Sequence, residues 1–160
     1  MIDKEEYLQR INTANPAQLV VINFELIADF LTDALTALDQ DVEAFRSHIS
    51  KAKDGLQQLI KSLNFEVSMS HDFYEIYKYV DRRLNEASFT ASAAIAKSAA
   101  MESLELMSML LTGWREAAAK AADTPPVVGE GPKVYAGLTY SRSGQAEEFI
   151  AEDKSRGYMA

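Results

Sequence analysis

The sequence predicts an all-α protein, an antiparallel four-helix bundle with a short extra N-terminal helix and an irregular C-terminal tail. Apolar residues recur at spacings of three and four through residues 1–122, which is the period of helices that bury one face. Short polar connections separate these stretches, as expected for antiparallel neighbours. Residues 123–160 hold most of the prolines and glycines, so we expect an extension of the helical domain there and not a second domain.

The helix predicted over residues 15–38 is the most apolar of the chain. Asn15 is a preferred N-cap, Pro16 suits the first helical position, and Gln18 can hydrogen-bond back to the cap. One apolar stripe consists of Leu19, Ile22, Leu26 and Phe30, and a second consists of Val20, Phe24, Ile27, Leu31, Leu35 and Leu38. Only a narrow strip that includes Glu25 and Asp29 is left for water. A helix with one partner needs one stripe, so we expect this helix to be central or to line a groove that something else fills.

The other predicted elements are less apolar. Residues 3–13 are weakly amphipathic, and they form either a terminus docked on the bundle or a movable flap. Residues 42–63 carry one narrow apolar seam, which is typical of a surface helix. Ser70 or Asp72 can cap the next helix. Residues 90–122 form the longest helix, with alanines first and then leucines and methionines.

Composition excludes several classes of protein. The formal net charge of −8 repels phosphate backbones, and no basic stripe is present, so we expect no nucleic-acid partner. The chain has no cysteine, so thiolate sites and disulfides are impossible. The N-terminus is acidic and polar, unlike a secretory signal, and no apolar run is long enough for membrane insertion. We therefore expect a cytoplasmic protein.

The sequence carries no recognisable catalytic or metal-binding motif. A di-iron bundle needs Glu-x-x-His on two helices, but Phe45 precedes His48 and Ser68 precedes His71 at that spacing. No Gly-x-Ser-x-Gly elbow or thiol nucleophile exists. We predict that the protein is not an enzyme and needs no metal or cofactor, and an enzyme with a dispersed acidic site remains an alternative.

Several blocks of residues point to one family. Residues 77–87 read Tyr-Lys-Tyr-Val-Asp-Arg-Arg-Leu-Asn-Glu-Ala, similar to a family block Tyr-x-Tyr-x-x-x-Arg-Leu-x-x-Ala-Asn. Residues 13–31 follow a family start of Thr-Ala-Ser-Pro and an apolar run into Leu-Tyr-Asp-Gly, although residues 23–26 here read Asn-Phe-Glu-Leu. Residues 113–115 read Gly-Trp-Arg, where the family often ends its last helix with a Trp. Over roughly residues 7–118 the chain therefore resembles the flagellar secretion chaperone FliS, the export chaperone for flagellin.

The resemblance implies a cytoplasmic protein that holds the disordered C-terminal segment of flagellin, prevents premature polymerisation and delivers flagellin to the flagellar export gate. Disordered apolar segments that lay short helices into grooves bind in a releasable way, because ordering them costs free energy. The match and the excess apolarity together indicate a set of candidate partner-binding residues, although each is also a candidate for the core. These are Tyr7, Ile11, Leu19, Ile22, Phe24, Leu26, Tyr77, Arg83, Met101, Met107 and Leu111.

One alternative function and one role for the tail stay open from the sequence. The spare apolar stripe could be the seam of a homodimer, in which case the protein is a self-associating helical-bundle interaction module. In the tail, residues 135–140 form a candidate extended segment. We expect it to dock on the bundle and cover part of the groove until flagellin displaces it.

Overall fold

The computed structural model describes residues 3–122, which contain five helices and no β-strand. The helices are α1 (Lys4–Thr13), α2 (Pro16–Ala37), α3 (Val42–Lys61), α4 (Met69–Phe89) and α5 (Ala93–Ala122). The all-α prediction is confirmed for this part of the chain. The expectation for residues 135–140 lies outside the described residues.

The caps explain where the first three helices begin. Asp3 accepts a hydrogen bond from the backbone N–H of Glu6 at 3.1 Å, and Asp41 accepts one from Ala44 at 3.0 Å. Asn15 and Gln18 form the predicted capping box, with reciprocal side-chain to backbone bonds of 2.8 and 2.9 Å. Each cap satisfies N–H groups that a first helical turn leaves without an intrahelical partner.

The starts of α4 and α5 differ from the prediction. Helix α4 begins at Met69, and neither Ser70 nor Asp72 caps it, because both lie inside its first turn. Instead, the backbone N–H of Ser70 donates to the carbonyl of Val67, and that of His71 donates to the carbonyl of Ser68. These two bonds form a turn that leads into the helix without a side-chain cap. Helix α5 begins at Ala93, because the Ser92 hydroxyl accepts the N–H of Ile95 at 3.2 Å.

The four long helices pack side by side in a ring, so that each contacts two of the others. Helix α2 packs against α3 and α5, and α4 packs against the same two helices, while α1 lies on α2. Lys53 on α3 donates to Asn85 on α4, and Gln57 donates to Asp81 at 3.3 Å, so these two helices run in opposite directions. Helix α2 therefore contacts three other helices, which agrees with the first of the two alternatives left open for its two apolar stripes, a central position.

The core follows the apolar stripes of all five helices. Its largest fully buried side chains lie on α2, α3 and α4, joined by Ile11 of α1. Alanines at the start of α5, including Ala96, Ala99 and Ala100, are buried against the other helices. Small side chains allow the helices to approach one another closely there, while larger side chains fill the core along the second half of α5. This change in packing along α5 positions the candidate site.

Candidate functional site: an apolar groove between α4 and α5

An apolar groove lies between the start of α4 and the second half of α5. It has a volume of about 410 Å³. Its lining residues are Met69, Phe73, Met109, Leu110, Gly113, Trp114 and Ala117. Every one of these side chains is apolar, or absent at the glycine, apart from the indole N–H of Trp114. The groove therefore offers a surface for apolar groups and no cluster of groups for acid–base chemistry.

The floor of the groove is a cluster of aromatic rings. Phe73 and Trp114 have ring centroids 5.8 Å apart, and Trp114 stacks on Phe24 of α2 at 6.5 Å. Tyr77 completes the cluster, 6.3 Å from Phe24 and 6.1 Å from Phe73. Aromatic pairs at these distances stabilise one another beyond the area they bury. The floor is therefore part of the core that joins α2, α4 and α5.

Two polar atoms in this floor are buried without hydrogen bonds. The Tyr77 hydroxyl and the Trp114 indole N–H have no partner among the described residues. Burial raises the pKa of Tyr77 well above its ordinary value, because the phenolate would lose its hydration. Each unpartnered buried group costs free energy. These rings are consequently held by their packing and not by polar contacts.

The rim of the groove is accessible and adaptable. Met69 is 52% exposed and Met109 is 65% exposed. Methionine side chains are flexible and polarisable, so they adjust to irregular apolar partners. A Cβ atom added at Gly113 would meet nothing within 4 Å. The groove is therefore open above this glycine, where a bound side chain could approach the α5 backbone.

A polar cluster lies further along the same two helices. Arg83 of α4 donates to Glu102 of α5 at 3.0 Å and also pairs with Glu86, and the Tyr79 hydroxyl donates to Glu102. The hydrogen bond from Tyr79, helped by the positive charge of Arg83, lowers the pKa of Glu102. The same bond raises the pKa of Tyr79. This cluster ties α4 to α5, and Met101, 51% exposed, precedes Glu102 on α5.

The structure divides the candidate partner-binding residues into two groups. Met101 is exposed, and Arg83 is partly exposed, with 22% of its side chain accessible. The other nine side chains are buried in the core of the free chain, as the core alternative allowed. These are Tyr7, Ile11, Leu19, Ile22, Phe24, Leu26, Tyr77, Met107 and Leu111. Of these nine, Phe24 and Tyr77 pack beneath the lining rings of Phe73 and Trp114, but neither lines the groove itself.

None of the seven residues that line the groove is among the partner-binding residues predicted from the sequence. On α5, Met109, Gly113 and Ala117 recur every four residues, which places them on one face of the helix. On α4, Met69 and Phe73 have the same spacing. The sequence signal for the groove was the decrease in side-chain size along this face of α5, from methionine to glycine and alanine, together with the methionine and phenylalanine on α4. These faces can be recognised as a groove only once α4 and α5 are known to pack together.

Helix α1 covers one side of α2 away from this groove. The Tyr7 hydroxyl donates to Asp29 at 2.6 Å, and Arg10 pairs with Glu25 at 2.6 Å. Ile11, 2% exposed, adds the apolar contact of this helix. The strip of α2 that we expected to face water therefore anchors α1 through its two carboxylates.

Other kinds of site find little support in the described part of the chain. Residues 3–122 contain no group of three or more His, Cys, Asp or Glu side chains placed to hold a metal ion. None of the helices between these positions combines the length and the apolarity needed to cross a membrane.

Comparison with known proteins agrees with the resemblance seen in the sequence. The model of a family described as flagellar protein FliS matches residues 3–121. The match takes in all of α1, the helices around the groove and nearly all of α5. A search of curated proteins finds no match to this sequence. Because the family match covers well over half of the sequence, the chain belongs to the FliS family of flagellar chaperones.

Proposed function

We propose that this protein is a flagellin-specific export chaperone. It binds the disordered C-terminal segment of flagellin in apolar grooves, prevents premature polymerisation in the cytoplasm and delivers flagellin to the flagellar export apparatus. In this proposal the four long helices form an antiparallel bundle that acts by binding and not by catalysis. Membership of a flagellar chaperone family supports the general role.

The observation that carries the proposal is the groove between α4 and α5. Exposed apolar surface of this kind marks binding sites, because a protein without a partner for it would gain by burying it. An amphipathic helix can lay one apolar face into such a groove through side chains one turn apart. The exposed methionine rim and the rigid aromatic floor suit this mode, since the floor gives shape and the rim adapts.

The energetics also suit a partner that must be released. Fully burying one large apolar side chain contributes roughly 1.5–3 kcal/mol. A segment that folds on binding loses part of this gain to ordering, so a large contact gives only moderate affinity. A chaperone needs this combination, because the ligand must be covered in the cytoplasm and surrendered at export.

Among the candidate residues, we propose direct ligand contact for Met101, which is exposed, and for Arg83, which is partly exposed, because both lie on the helices that form the groove. Phe24 and Tyr77 act from the aromatic floor. Tyr7 and Ile11 contact a ligand only if α1 leaves α2, because both side chains are buried at that interface. The same condition, movement of a covering element, applies to the remaining core positions.

Calorimetric titration with the C-terminal segment of the same organism's flagellin tests the proposal. We expect one-to-one binding with a strongly negative heat-capacity change, the mark of buried apolar surface. Met109→Glu places a carboxylate on the groove rim and should weaken binding by at least tenfold, since burying a charge without a partner is costly. Ser108→Glu is the matched control, because it adds the same charge to an exposed neighbouring position on α5.

The alternative, a self-associating module, gives a different result in the same experiment. A homodimer seam predicts a dimer in sedimentation of the protein alone and no heat on addition of flagellin. Met109→Glu would then break the dimer, and the chaperone proposal would be wrong.

A further inference from the structure

A second cavity lies at the junction of α1, α2 and α5, away from the groove. It has a volume of about 250 Å³. Its apolar wall is formed by Ala14, Val21, Ile22 and Ala118, and its polar side by Arg10, Thr13, Gln18 and Arg115. Three helices thus bring two guanidinium groups to one small, partly apolar cavity. The function proposed for the groove between α4 and α5 gives these two groups no role.

Glu25 holds both arginines in place. Its carboxylate pairs with Arg10 at 2.6 Å and with Arg115 at 3.1 Å, one oxygen to each. The guanidinium of Arg10 also lies over the ring of Tyr7, 5.4 Å from its centroid. The carboxylate is mostly buried, with 15% of its side chain exposed, whereas the arginines are 39% and 57% exposed. The two cations are therefore oriented beforehand and remain accessible.

The hydrogen-bonding capacity of the two arginines at this junction is only partly used. Glu25 pairs with both arginines, and Asp29 adds a second carboxylate through its contact with Tyr7, so the two positive charges are matched by two negative ones. Each guanidinium has five N–H donors in a planar fork suited to carboxylates, and its contact with Glu25 uses one of them. The junction thus suits an anion from outside the chain.

We propose that this cavity binds the C-terminal carboxylate of the segment held by the chaperone. The two arginines contact the carboxylate, and the apolar wall takes the last side chain of the peptide. A chain end carries its carboxylate on the backbone of one residue, so the side chain of that residue is free to contact the apolar wall, and this fits the small cavity better than an internal acidic residue flanked by backbone on both sides. The proposal rests on the proposed function and adds a recognition site for the end of the ligand.

Two synthetic peptides test the proposal on the full-length protein. Both carry the C-terminal sequence of the same organism's flagellin, one with a free carboxylate and one with a carboxamide. We expect the carboxamide to bind about tenfold more weakly, because it loses the charge and the charge-assisted hydrogen bonds. Arg115→Gln should bind the two peptides equally. Arg46→Gln is the matched control, because Arg46 is an exposed arginine on α3 paired with Glu43, and it should discriminate as the unmodified protein does.

The outcomes separate this inference from the function on which it rests. If both peptides bind the unmodified protein equally well, the carboxylate site is wrong and the chaperone function stands. If neither peptide binds, both are wrong. If Arg115→Gln and Arg10→Gln each melt like the unmodified protein and still prefer the carboxylate, another group recognises the chain end and the assignment of this cavity is overturned.

Discussion

Replacing Gly113 by leucine should separate ligand binding from folding. Gly113 lines the groove in the middle of α5, and a Cβ there would meet no atom within 4 Å. The substitution therefore adds a side chain without a clash in the free protein. Leucine is a better helix former than glycine by about 0.7 kcal/mol, so the variant should be more stable and melt roughly 2–3 °C higher.

The same side chain should compete with the ligand. It occupies the open space above the glycine and excludes one apolar side chain of the partner, which is worth roughly 1.5–3 kcal/mol. Because about 1.4 kcal/mol corresponds to a factor of ten, we expect the dissociation constant for the flagellin segment to rise by roughly ten- to a hundredfold.

Calorimetric titration and thermal melting of the same preparations measure both effects. Thr112→Leu serves as the control, because Thr112 is an exposed neighbour on α5 that does not line the groove, and its replacement should leave binding unchanged. If Gly113→Leu melts higher than the unmodified protein and binds the segment equally well, the groove is not the binding site.

Three further predictions concern stability. Tyr77→Phe should raise the free energy of unfolding by about 1 kcal/mol, because the buried hydroxyl has no partner among the described residues; a loss of stability in chemical denaturation would show that the hydroxyl is satisfied. Tyr7→Phe removes the bond to Asp29 and should cost about 1 kcal/mol, with faster amide exchange confined to α1; unchanged exchange there would mean that the bond does not hold this helix. Glu102→Gln tests the pH dependence: the bond from Tyr79 lowers the pKa of Glu102 below its ordinary value of 4.5, so its stabilising effect is present above that pH and is lost as the pH falls through the lowered pKa. The variant should melt with a shallower loss of stability on acidification, and an identical acid profile would rule out this contribution.

The elements that the sequence predicted well are those fixed by local chemistry. The start of α2 follows from Asn15, Pro16 and Gln18, whose capping contacts need only each other. The start of α4 could not be predicted in the same way, because it depends on the backbone bonds of the preceding turn and not on a cap residue. The spacing of the apolar residues predicted the helices, whereas hydrogen bonds of the caps and of the preceding turns determine where the helices begin.

The candidate site was harder to predict because a stripe shows which residues share a face and not what covers that face. Tyr77 and Met107 were candidates for partner binding, yet both are fully buried because neighbouring helices enclose them. Glu25 looked solvated on α2, yet it pairs with arginines 15 residues before and 90 residues after it. Contacts at such separations depend on the packing of the helices, which local patterns do not encode.

The groove combines two classes of residue that should respond differently to mutation. The rim side chains of Met69 and Met109 are more than half exposed, so they contribute little to the stability of the fold. Substitutions at these two positions should therefore change ligand binding much more than folding. The floor rings of Phe73 and Trp114 pack against the core, so their loss removes stability and binding together. Rim variants are therefore the ones that report on recognition, whereas weak binding by a floor variant is uninformative unless its fold has been measured. A chaperone built in this way can change its ligand preference through the rim without losing the aromatic floor that holds α2, α4 and α5 together.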